Sequence, residues 1–194
     1  DVPILALLPG SRAGEINRLL SVFLDAARKI TVELPSLAIV IPAANAQCRT
    51  LIESGLSRSG ISNVALIDGQ AHEAMIAADV VLLASGTAAL EAMLAKRPMV
   101  VGYRISSLSY RVITGLGLMQ VNRFSLPNVL ANEPVVPELM QDDCTASNLA
   151  DAVLHWFRQP DAAALLQPRF AAIHDSPRQN ASEKAAAAIA ELLP

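Results

Sequence analysis

Apolar runs of four or five residues alternate with longer stretches of helical periodicity through the first half of the chain, joined by polar turns of a few residues. Residues 4–8, 38–41, 64–67, 80–84 and 99–102 are rich in Val, Ile, Leu and Ala and read as strands. Residues 15–34, 46–56, 71–77 and 88–95 read as helices; in the first of these Ile16, Leu19, Leu20, Phe23, Leu24, Ala27 and Ile30 fall on one face. Pro42 stops the second strand, Gly60 follows the second helix, and Asp68-Gly69 and Ser85-Gly86-Thr87 mark turns. Strands that alternate with helices over such short links cannot pair as hairpins. They imply an α/β fold, a doubly wound parallel sheet with right-handed crossovers and helices on both faces. Ligands of such sheets sit beyond the carboxyl ends of the strands, which is where the polar turns fall.

After Gly102 the pattern changes. Residues 107–118 read as a helix interrupted by Gly115 and Gly117, and residues 123–137 as loop-rich. Residues 145–157 read as a helix capped by Thr145, followed by a helical C-terminal tail at 161–173 and 182–193. The division expected is a nucleotide-binding domain over residues 1–158, with helices of 159–194 packed on it or on a further domain.

The 194 residues are 53% hydrophobic and only 4% aromatic, enough for a buried sheet under Ala-rich helices. A net charge of −3 supplies no global field for nucleic acid. Cys48 and Cys144 match no redox or metal spacing and read as reduced thiols of a cytosolic protein. His72, His155 and His174 form no ligand pair, so no metal site is expected. No apolar run reaches the roughly 20 residues of a membrane span. The chain starts at Asp1 and enters a strand almost at once, which reads as part of something longer.

Three turns carry chemistry. "LALLPGSRAGEINR" runs from strand through a Gly turn into a helix, an arrangement whose free amides and helix dipole favour an anion. It lacks the GxGxxG of dinucleotide folds and the GxxxxGK[ST] of P-loops. "LLASGTAALEAM" repeats the arrangement: Ser85, Gly86 and Thr87 let the backbone approach a diphosphate, and Glu91, one turn on, can accept from ribose hydroxyls. The alternative for Ser85 and Thr87 is helix capping alone. "IDGQAHEAM" offers Gly69 and Gln70 to a base edge, or is an ordinary turn.

Together "LALLPGSR…E", "IPAAN", "IDGQAHEAMIAADVVLLASGTAALEAMLAKRPMVVGYR" and "SLPN" resemble the C-terminal half of the bacterial lipid-A-disaccharide synthase family, over about residues 4–157. The resemblance implies a Rossmann-like half of a two-domain GT-B glycosyltransferase, the half that holds a UDP donor. The implied enzyme is inverting and needs no metal or other cofactor. It transfers 2,3-diacylglucosamine from UDP-2,3-diacylglucosamine to 2,3-diacylglucosamine 1-phosphate, giving the β-1,6-linked disaccharide 1-phosphate and UDP. The implied location is cytoplasmic, peripheral on the anionic inner-membrane surface. The acceptor site and general base are implied to lie in an N-terminal half that this chain lacks, so the chain alone is expected not to turn over.

On the residues present, the resemblance implies that Arg12 grips the diphosphate and Ser11 adds a hydroxyl. Glu15 either orients Arg12 or caps the first turn. Ser85, Gly86 and Thr87 take the remaining phosphate oxygens, Glu91 the ribose, and Gly69 and Gln70 the uracil. Asn128 of "SLPN" reaches the sugar or diphosphate, or forms a turn, and Tyr103 is a further contact. Arg12, Glu15 and Asn128 are the candidate catalytic residues. Residues 92–132 contain five Lys or Arg and no Asp or Glu, interleaved with apolar residues. Arg104, Arg111 and Arg123 could therefore contact lipid or an anionic bilayer, or simply be a solvated face over core residues. Two other functions remain open: another UDP-sugar enzyme of the same fold (a hexosamine transferase or 2-epimerase), and a non-catalytic nucleotide-binding module.

Overall fold

The computed structural model describes residues 2–105, 123–175, 186 and 188–191. Within them the chain runs β1 (Ile4–Leu8), α1 (Ala13–Glu33), β2 (Ala38–Ala43), α2 (Ala46–Ser59), β3 (Val64–Asp68), α3 (Ala71–Ala77), β4 (Val80–Ala84), α4 (Thr87–Leu94) and β5 (Met99–Tyr103). Then follow α5 (Leu126–Ala131), β6 (Glu138–Met140), a 3-10 turn (Gln141–Asp143), α6 (Ala146–Arg158) and α7 (Pro160–Asp175). The six strands form one sheet in the order β3-β2-β1-β4-β5-β6, and every pairing is parallel. This is the expected doubly wound α/β fold. Its order reverses between β1 and β4, so the loops leaving those two strands diverge and open a crevice.

Burial follows position in the sheet. Every residue of β4, a central strand, is buried, whereas edge strand β3 is only partly covered. Helices α2, α1 and α6 cover one face, and α3 and α4 the other. The apolar face read for α1 is the one that packs inward: Ile16, Leu19, Leu20, Phe23, Leu24, Ala27 and Ile30 are all buried. On α6, Thr145 caps the helix by accepting from Asn148 N, and the Trp156 indole donates to Met99 O at 3.2 Å. Helix α7 packs against α4, α5 and α6 and buries Leu166 and Phe170.

β2 does not stop at Pro42; it continues to Ala43, with Pro42 opposite Ile67. Ile39 N donates to Asn63 O and Ala43 O accepts from Gly69 N, so the odd-numbered residues of β2 face β3. Pro42 therefore faces the β1 side, beyond the last β1–β2 partners, Ala6 and Val40. Its missing N–H breaks no ladder bond. The segment read as loop-rich contains α5, and just beyond it lies the three-residue strand β6, too short to show a periodicity. The helix expected at 107–118 lies outside the described residues, as does most of 182–193.

Gly102 on β5 lies against the ring of Phe23: a Cβ there would meet Phe23 Cε1 at 2.6 Å and Cζ at 2.8 Å. Phe23 is fully buried, so its ring has nowhere to retreat. Gly102→Ala is expected to cost about 1–3 kcal/mol of stability through overpacking, read by thermal or urea unfolding. Unchanged stability would show that the α1–β5 contact can widen.

Candidate functional site

The crevice at the switch point is a cavity of about 380 Å³, walled by the loops that leave β1, β2, β3 and β4. β1 and its loop supply Leu8, Gly10, Ser11, Arg12 and Glu15. β4 and its loop supply Ala84, Ser85, Gly86, Thr87 and Glu91, and Gly69 closes the β3 side. Thus seven of the predicted nucleotide-contact residues, together with Glu15, scattered over three turns of sequence, share one hollow at the carboxyl edge.

Besides the short α3, whose first residue Ala71 lines the cavity, two longer helices start at this hollow. α1 begins after Arg12 and α4 after Gly86, and neither start carries a side-chain cap. Glu15 N and Ala89 N bond back to Arg12 O and Gly86 O, but the first two amides of each helix have no intrahelical partner, so they and the helix dipoles favour an anion. Ser85 and Thr87 are therefore not caps of α4; the Ser85 hydroxyl donates instead to Phe124 O at 3.4 Å.

Glu15 touches both neighbours in the turn. One carboxylate oxygen accepts from Ser11 N at 3.0 Å, and the other lies 3.3 Å from Arg12 Nη1. The Arg12 side chain is 82% exposed, so this pair holds it loosely and leaves it free to swing onto a ligand. Gly10 makes the turn possible: its φ is +129°, and a Cβ there would lie 2.5 Å from Glu15 Cβ. Below the turn, the buried Cys48 thiol donates to Ser11 O at 3.5 Å, and Asn45 caps α2 by accepting from Cys48 N at 2.9 Å. Gly69 and Gln70 are both left-handed, with φ of 62° and 54°. Their turn is anchored by Gly69 N to Ala43 O and by Arg49, which binds Asp68 at 2.8 Å and Glu53 at 2.9 Å. The Asp68 carboxylate, more than any other neighbour, pushes the Arg49 guanidinium pKa up.

Three expected contacts are not in the cavity wall: Gln70, Tyr103 and Asn128. Asn128 is the clearest correction. It is 2% exposed, and its amide is fully engaged with the main chain of the loop ahead of β6. Its Oδ1 accepts from Val135 N at 2.8 Å and Val136 N at 2.9 Å, and its Nδ2 donates to Val136 O at 2.9 Å. Ser125 of the same "SLPN" motif is also buried, held by Glu138 of β6. The Glu138 carboxylate accepts from Ser125 N at 2.7 Å and Phe124 N at 3.0 Å, and thereby sets the Phe124 carbonyl that receives the Ser85 hydroxyl. Sequence reading misses Glu138 because its partners lie on another segment and no local pattern links them.

Of the three arginines read as lipid-facing or as a solvated face, two have partners within the chain. Arg104 is half-buried and donates from Nη2 to Cys144 O, and Arg123 donates from Nη1 to Asn132 Oδ1 at 3.0 Å. Both guanidinium groups hold the protein's own chain, and Arg111 lies outside the described residues. Burial pushes the Cys144 thiol pKa up, which keeps it protonated, while Arg104 opposes the shift. Among the described residues no helix is long and apolar enough to cross a membrane.

Known proteins resemble this chain in sequence and in fold. The family model described as lipid-A-disaccharide synthetase matches residues 1–191. Lipid-A-disaccharide synthase of Xanthomonas campestris pv. campestris (strain 8004) is 56% identical over 192 residues, covering 98% of this chain and 44% of the relative. That of Xylella fastidiosa (strain M12) is 54% identical, covering 98% of this chain and 50% of the relative. The chain thus spans about half the length of the curated relatives it matches.

Solved structures share the fold at low identity. The C-terminal CMP-Kdo binding domain of WaaA from Acinetobacter baumannii gives a TM-score of 0.60 at 14% identity, covering 88% of each chain. An O-GlcNAc transferase of Thermobaculum terrenum gives 0.59 at 17%, covering 92% of this chain and 33% of that one. A UDP-GlcNAc 2-epimerase of Neisseria meningitidis, solved with UDP-GlcNAc, gives 0.58 at 16%, covering 92% and 45%. The architecture is that of one half of a GT-B glycosyltransferase. On its matching residues and its fold, the chain belongs to the lipid-A-disaccharide synthetase family.

Proposed function

We propose that the switch-point cavity holds the UDP portion of a UDP-sugar donor, and that the chain is the donor-binding portion of a lipid-A-disaccharide synthase. The observation that carries this reading is the shared cavity of Arg12, the Ser85–Thr87 turn and Glu91 at the uncapped starts of α1 and α4. Anions gain from free amides and helix dipoles at such starts, and the Arg12 fork adds a charge-assisted contact. Glu91 projects from α4 one turn beyond Thr87 and supplies acceptors for ribose hydroxyls. Family membership supports uridine as the nucleoside and acylated glucosamines as the sugars.

In the proposed reaction, UDP-2,3-diacylglucosamine and 2,3-diacylglucosamine 1-phosphate give the β-1,6-linked disaccharide 1-phosphate and UDP, with inversion at the anomeric carbon. The bond from that carbon to the β-phosphate oxygen breaks, and UDP leaves with the electron pair. The acceptor hydroxyl forms the new bond and gives its proton to a base. Arg12 and the two helix starts stabilise the charge that grows on the departing diphosphate. We place the base and the acceptor site in the remaining half of the relatives' length, at an inner-membrane surface where acyl-lipid substrates reside.

Calorimetric titration with UDP tests the donor site directly. The parent chain is expected to bind. Arg12→Ala is expected to bind about 10–100-fold more weakly, the loss of one or two hydrogen bonds to a charged group, and Glu91→Ala about tenfold more weakly. Absence of binding by the parent, or full affinity in both variants, would remove the proposal.

A further inference from the structure

The turn between β1 and α1 is held by two side chains, and between them they leave one main-chain donor over. Glu15 is the third residue of α1, the position from which a carboxylate ordinarily reaches back to the N-cap amide. The N-cap here is Arg12, yet Oε2 of Glu15 accepts one residue earlier, from Ser11 N at 3.0 Å. No acceptor among the described residues takes the Arg12 amide.

The second side chain sets the direction of that amide. Cys48, the third residue of α2, is 1% exposed, and Asn45 at the N-cap fixes its N–H at 2.9 Å. Its thiol donates to Ser11 O at 3.5 Å. The Ser11–Arg12 peptide is trans, so its N–H lies opposite its C=O. With the carbonyl turned onto a buried thiol, the Arg12 N–H faces away from Cys48. Ser11 and Arg12 line the nucleotide cavity, whereas Cys48 lies outside its wall. Together with Ala13 N and Gly14 N, the Arg12 amide makes three successive donors at the start of α1, where an anion is favoured. A flip of the same peptide plane would offer a carbonyl oxygen in place of the amide, and a carbonyl repels a phosphate.

We propose that Cys48 is a positioning residue of the nucleotide site: its thiol, together with the Glu15 carboxylate, fixes the Ser11–Arg12 peptide so that Arg12 N–H donates to the diphosphate. The inference rests on the reading of that cavity as the UDP site. It gives Arg12 a main-chain contact beside its guanidinium one. It also makes the role of the buried thiol depend on its donor and not on its volume.

Substitution separates donor from volume. Ala and Val bracket cysteine in size and neither donates, whereas Ser keeps a donor. Cys48→Ala and Cys48→Val are each expected to bind UDP about three- to tenfold more weakly, and Cys48→Ser to stay within about twofold of the parent. Calorimetry is run at a temperature where thermal unfolding shows each variant folded. In proton–nitrogen correlation spectra of the parent and of Cys48→Ser, saturating UDP is expected to move the Arg12 amide proton downfield, as a hydrogen bond to an anionic acceptor does. The movement is expected to be smaller in the Ala and Val variants. Movement of the Gly69 and Thr87 amides without Arg12 overturns this inference alone. No movement at any of the three, with no heat of binding, overturns the UDP reading and this inference with it. Parent-like affinity in Cys48→Val, or a Cys48→Ser variant as weak as Cys48→Ala, overturns the role of the thiol.

Discussion

Asn128→Ala is expected to destabilise the domain by about 3–5 kcal/mol while leaving the UDP affinity of the folded protein within about twofold of the parent. The size follows from what the side chain holds. Val135 N, Val136 N and Val136 O each lose their partner in a buried loop, and each such group costs on the order of 1–3 kcal/mol when stranded. At this chain length the melting temperature should fall by about 10 °C. Asn128→Asp should fall between parent and Ala: it keeps an acceptor for the two amides but loses the donor to Val136 O. Thermal unfolding and calorimetry at low temperature separate the two quantities. A variant as stable as the parent that had lost UDP binding would return Asn128 to the donor site.

Gly10→Ala is expected to abolish measurable UDP binding, a loss of more than about 100-fold, and to cost about 2–3 kcal/mol of stability. Alanine disfavours a φ of +129°, and its methyl group would sit 2.5 Å from Glu15 Cβ and 2.7 Å from Oε2. Glu15 Cβ is anchored to the first turn of α1 and cannot yield alone. The turn must shift, which breaks the Glu15 contact to Ser11 N and moves Arg12 away from the cavity. Ser11→Ala, which removes a hydroxyl and leaves the turn intact, should weaken binding less than tenfold. Parent-like UDP affinity in Gly10→Ala would show that the turn does not shape the nucleotide site.

These two residues mark the two sides of what a linear reading can reach. Gly10 is legible because strand, glycine turn and helix are consecutive, and the geometry of that turn is set by the residues that form it. The same holds for Ser85–Thr87 before α4 and for Thr145 before α6. Asn128 looks the same on paper, a polar residue after proline in a turn, yet its amide faces inward. Arg104 and Arg123 stand in a basic, apolar stretch that reads as surface, and both hold the chain's own polar groups. Glu138 shows no signal at all, because it acts on Phe124 and Ser125 from a three-residue strand. Pro42 looks like the end of β2 until β1 is seen to have already parted from it.

Periodicity and turn chemistry are local properties, so the amino-acid order alone determined the strands and helices of the β-α repeats and the anion-favouring turns at their carboxyl ends. Only the tertiary structure decided which polar side chains face the crevice and which face the protein. A buried donor or acceptor takes whatever partner the fold brings within about 3 Å. For Asn128, Arg104 and Glu138 that partner comes from a segment 7 to 40 residues away.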